Sequence, residues 1–112
     1  MEENPDLKSY LSLGTAIVQK QAGIIGLDLA VAKVRKIGGI LVDDSGQVFQ
    51  LLGDPIELLG KLVEEYVRLS GEAAVKFSTQ AIDSIVKNNP QLKLPKQLQK
   101  GYSSAEEFLK SF

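Results

Sequence analysis

No cysteine and no histidine occurs among the 112 residues. Without thiols there are no disulfides and no thiol-based sites, and without imidazole the commonest zinc ligands and acid/base groups are missing as well. The expectation is therefore no metal and no cofactor. Long hydrophobic runs are also lacking. The most apolar region, Leu11 to Val34, is interrupted by Gln19-Lys20-Gln21 and Asp28, well short of the ~20 apolar residues of a membrane span. No membrane association is expected. The opening Met1-Glu2-Glu3-Asn4-Pro5 is acidic where a secretory signal is basic, which makes the cytoplasm the expected location. An excess of one charge is absent too. Thirteen basic against fourteen acidic side chains leave a net charge of -1, which argues against disorder and against a field built for nucleic acid.

What is present reads as one domain, residues 1–112, large enough to remove roughly 60–65% of its unfolded surface from water. Hydrophobic content of 44% and charged content of 24% are those of an ordinary globular protein. The expected class is mainly α (α+β). It comprises N-terminal helices over 1–37, a short β-hairpin over 39–52, a long central helix over 54–88 that Gly71 can kink, a basic connector over 89–102 and a short terminal helix over 103–112.

The long helix carries the plainest signals. Asp54-Pro55-Ile56-Glu57 combines an N-cap carboxylate, proline at the first helical position and an acid three residues past the cap. Leu59, Leu62, Val63, Tyr66, Ser70, Ala73, Ala74 and Phe77 then stay on one face at 100° per residue, so the stripe runs through Gly71. On the polar face Glu57 and Lys61, Glu64 and Arg68, Glu72 and Lys76, and Asp83 and Lys87 are spaced by four with the acid first, the favourable order. Asn88-Asn89-Pro90 stops the pattern. At 1.5 Å per residue such a helix is about 50 Å long. Val75, Ile82 and Val86 project away from the main stripe, and a single packed neighbour covers only about 100–140°. These three residues are the expected interface of a homodimer, the commonest closed oligomer.

Upstream, Asn4-Pro5 starts a first helix to about Gln21, and the chain is expected to turn between Gly23 and Gly26, making Asp28 a cap or first-turn residue of a second helix ending at Ile37. A continuous helix would instead line up Gln21, Asp28 and Arg35 within the apolar stripe. Gly38-Gly39 ends the helical pattern, and Asp43-Asp44-Ser45-Gly46 forms the tip of a hairpin with Gly46 at positive φ. That tip does not have the ligand spacing of a calcium loop. After Pro90, Leu92, Leu94 and Leu98 are expected to anchor the connector. Ser103-Ser104-Ala105-Glu106-Glu107 caps a last helix carrying Phe108, Leu109 and Phe112.

Neither Gly23-Ile24-Ile25-Gly26 nor Gly38-Gly39 has the spacing of a phosphate loop. No nucleophile and base are spaced so as to assign catalytic roles, and the chain is expected not to be an enzyme. The leading expectation is a small protein-protein interaction or adaptor module that self-associates through its long helix. The alternative is a ligand-responsive or nucleic-acid-associated regulator. It would use Asp28 or Arg35 as a polar contact in a cleft beside the hairpin, or a basic surface of Lys33, Lys36, Lys93, Lys96 and Lys100 for an acidic partner.

Overall fold

The computed structural model describes residues 5–99. Among the described residues, four α-helices and one two-stranded antiparallel hairpin make the fold mainly α, as the sequence predicts. Helix α1 (Leu7–Ile25) is followed at once by α2 (Leu27–Ile37), and Gly26 serves both. Its N–H closes α1 on the Ala22 carbonyl and its carbonyl accepts the first bond of α2, from Ala30. This works because Gly26 has φ +92°, a conformation that side chains with a Cβ rarely adopt. The expected turn is thus present, but it occupies one residue and lets α1 run past Gln21 to Ile25. Asp28 lies in the first turn of α2 and is exposed.

Strands β1 (Ile40–Val42) and β2 (Val48–Leu51) pair as Ile40 with Leu51, Leu41 with Gln50 and Val42 with Val48. Phe49 is therefore the extra residue of a bulge. Ile40, Val42, Val48 and Leu51 point inward and are buried, so the ribbon is stabilised against the helices. At the tip, the Asp43 carboxylate accepts hydrogen bonds from Ser45 N–H (2.9 Å), Ser45 Oγ (2.6 Å) and Gln47 N–H (3.0 Å). Those donors hold the Asp43 carboxyl below its usual range, the Ser45 hydroxyl contributing most. The loop is a turn held by its own aspartate.

The long helix expected over 54–88 is two helices, α3 (Pro55–Ser70) and α4 (Glu72–Asn88). Its start is as read: Asp54 Oδ1 accepts the Ile56 N–H at 3.0 Å, with proline in the first turn. The break is at Gly71, where φ is +64° and ψ is −148°. Helix α4 turns back to lie antiparallel along α1, with Ser9 against Asn89 at one end and Gln21 against Ala74 and Ser78 at the other. This packing corrects the interface expectation. Val75 and Ile82 are 6% and 2% exposed and Val86 is half-buried, so the apolar surplus is covered inside the protomer.

Residues 89–99 form a strap ending in a 3-10 turn, Lys96–Leu98. Leu92 and Leu98 are buried and Leu94 partly so. Tyr10 fastens the strap to α1, its hydroxyl donating to the Lys93 carbonyl (2.9 Å) and accepting the Lys93 N–H (3.2 Å). On α3 the strap crosses Gly60, where a Cβ would come 3.0 Å from Gln97 Oε1 and 3.2 Å from Pro95 Cβ. The expected terminal helix over 103–112 and Lys100 lie outside the described residues.

Candidate functional site: the outer face of the hairpin

An antiparallel strand with one face on a core alternates inward and outward side chains. Strand β2 does not: Val48 and Leu51 are buried while Phe49 and Gln50 between them are exposed. The bulge opposite the Leu41/Val42 step accounts for this, because one unpaired residue resets the alternation. Its result is an aromatic ring on the surface. Phe49 is 53% exposed and Leu52, just past the strand, is 57% exposed.

Beside Phe49 lies a groove of about 470 Å³ between α1 and β2. Leu11 and Ala16 of α1 and Val48 and Phe49 of β2 provide its apolar surface, Ser12, Thr15, Gln19 and Gln47 its polar groups, and Lys8 its single charge. Thr15 is the hinge pin of the groove: its hydroxyl oxygen accepts the Val48 N–H at 2.9 Å. That bond ties the free edge of β2 to α1 and removes a donor with which another strand could pair. The groove is therefore suited to side chains more than to an added strand.

The sequence-predicted positions are not brought together. Arg35 is bound to the hairpin, donating to the Val42 carbonyl (3.2 Å) and to Asp44 Oδ1 (2.9 Å), while Asp28 sits seven residues away on the exposed start of α2. Of the basic residues, Lys33 is half-buried on α2 and Lys36 approaches Glu65 of α3 at 3.8 Å. Lys93 lies beside Tyr10 on the strap. Lys96 borders a separate recess with Ile56, Glu57, Gly60 and Lys61. Sequence reasoning missed Phe49 and Leu52. The available signal was the run Val48-Phe49-Gln50-Leu51, whose apolar residues do not follow a period of two.

Among the described residues no group of three or more His, Cys, Asp or Glu is placed to hold a metal ion, and no helix is long and apolar enough to cross a membrane. No family model, curated protein or solved structure matches the chain.

Proposed function

We propose that the chain is a small non-enzymatic protein-interaction module, and that it docks a segment of a different protein on the outer face of the hairpin and in the adjoining groove. The observation that supports this reading is the exposure of two large apolar side chains close together in sequence, Phe49 and Leu52, 53% and 57%, the first of which lines a groove of mixed polar and apolar surface. Aromatic anchors that a partner can desolvate supply most of the energy at protein interfaces, and each Å² of apolar surface they bury contributes about 25 cal/mol. Lys8, the one charge in the groove lining, calls for a carboxylate in the partner next to its apolar side chains.

The interaction reading keeps the expectation from the sequence but moves the surface, because the residues of the supposed helical interface are covered. A double variant Phe49→Ser/Leu52→Ser tests it. The variant should melt within a few degrees of the parent, since more than half of each residue's surface is already in water, and should lose at least tenfold of its retention of a partner held by the parent chain. Equal retention by the two proteins would refute the reading. Sedimentation at micromolar concentration separates the remaining case: a parent dimer that the double variant dissociates would make the partner a second copy.

A further inference from the structure

Helices α3 and α4 are separated by one residue, and that residue serves both. The Gly71 N–H closes α3 on the Val67 carbonyl at 2.7 Å, and its carbonyl accepts the first bond of α4, from Ala74, at 3.0 Å. The corner stands clear of the rest of the fold, since a Cβ built on Gly71 meets nothing within 4 Å. As the chain is helical on both sides, helical φ and ψ at this single position would join α3 and α4 into one rod. Laid out at about 100° per residue, the rod keeps its two buried faces apart. Leu59, Leu62, Val63 and Tyr66 lie on one, and Ala74, Val75, Ser78 and Ile82 are centred roughly a third of the circumference away. Two bodies therefore fit on it without contesting one face.

We propose that two copies of this chain exchange α4 and everything after it, Gly71 opening in each so that α4 packs on α1 of the other copy. Exchange of one element at a short corner is a low-cost route to a dimer, because no contact has to be invented. Gln21 meets Ala74 and Ser78, Ser9 meets Asn89, Tyr10 meets Lys93 and Glu64 meets Gln97. These contacts lie within one chain in the monomer and between chains in the dimer. Only the corner differs. Each body keeps the end of one α3 beside the start of the other copy's α4, so the two Gly71 residues are neighbours and the rods cross there. Leu69, 43% exposed, and Ala73, also exposed, flank Gly71. On the rod they come one turn apart on one face at the crossing, where a second copy can cover an apolar side chain that the single chain leaves in water.

The chain has no cysteine, so a pair of introduced thiols reports the exchange directly. In Ser9→Cys/Asn89→Cys one thiol lies on α1 and the other at the end of α4, where the parent side chains meet at 3.3 Å. The full chain is refolded from urea at millimolar concentration, and monomer and dimer are separated under reducing conditions and then oxidised. On a non-reducing gel the dimer should show two chains linked, while the monomer closes within one chain. In the cysteine-free background Gly71→Ala, strained at the corner but favoured in a continuous helix, should raise the association constant at least tenfold by sedimentation. In dilute solution, where the chain stays monomeric, that variant carries the strain alone. Three glycines inserted after Gly71 should lower the association constant, because they relax the corner and break the rod. Disulfides confined within chains in the dimer fraction overturn the proposal. So does an association constant that Gly71→Ala leaves unchanged or lowers, or the absence of a dimer at millimolar concentration in both parent and Gly71→Ala, whether or not the cysteine variant folds. The hairpin face takes no part, so Phe49→Ser/Leu52→Ser should leave the exchange as it is, unlike a dimer docked through that face.

Discussion

Tyr66 shows how one side chain ties two helices together and leaves a signature in pH. It is wholly buried, and its hydroxyl donates to the Ala30 carbonyl of α2 at 2.9 Å. Burial pushes its phenol well above the ordinary value of 10.0, because the charged phenolate would lose its water. A phenol whose native pKa is raised stabilises the fold fully below the unfolded pKa, and this contribution falls as pH rises above about 10. Tyr66→Phe should thus cost about 1 kcal/mol at neutral pH through the lost hydrogen bond. Above about pH 10 the parent should lose stability faster than the variant, so that the two curves of unfolding free energy against pH converge and cross. Denaturant melts at about pH 8 and 11 measure it; a constant difference between the two proteins would contradict the assignment. Gln21 behaves differently. It is fully buried between α1 and α4, its amide nitrogen shared by the Ala74 carbonyl and Ser78 Oγ at 3.3 Å each, and its Oε1 has no partner. Its spacing could place Gln21 on the apolar stripe, yet nothing local names a partner more than fifty residues away.

At the scale of elements, the cap of α3 and the corner at Gly26 were legible, whereas the start of α1, read at Asn4-Pro5 and found at Leu7, and the corner at Gly71 were not. Asp54-Pro55 specifies the start of α3 because every group involved is within a few residues. The acid-first pairs were legible in part: Glu57 with Lys61 (3.4 Å) and Asp83 with Lys87 (3.0 Å) form, while Arg68 turns to Glu65 and Glu64 is taken by Gln97 of the strap. Periodicity counts residues and carries no direction, so a stripe that continues through Gly71 reads the same whether the axis goes on or folds back. The backbone decides it. Gly71 has φ +64°, and a Cβ built there meets nothing within 4 Å, so its requirement for glycine is purely conformational. Gly71→Ala should therefore lower stability by about 1–3 kcal/mol through backbone strain alone, seen as a lower urea midpoint with an unchanged slope. An unaltered midpoint would show that the corner tolerates a side chain. The bulge at Phe49 was equally hard to read, since an unpaired residue is fixed by the register with β1 and not by the composition of β2.

For the molecule as a whole, covering the second half of the rod within one chain changes what is left to present. A 50 Å helix would have offered a long apolar seam. Two helices folded over α1 leave instead scattered apolar side chains at the surface, of which Phe49 and Leu52 beside the hairpin are the most exposed. The core itself follows from residues the sequence marks as apolar, while its layout depends on where Gly26 and Gly71 send the chain.

The strap holds distant parts of the chain side by side. Asp6 accepts from Gln91 at 3.0 Å, Ser9 meets Asn89 and Tyr10 meets Lys93, so the start of α1 and the first half of the strap are neighbours. A circular permutant of the full chain, with a long glycine-serine linker joining residue 112 to residue 1 and new termini opened between Asp44 and Ser45, should therefore fold to the same helical content. Sewn in that order, α4 and α1 become consecutive in the polypeptide, and loop closure between them costs less entropy. If assembly of that pair limits the rate, the rearranged protein will refold faster than the original.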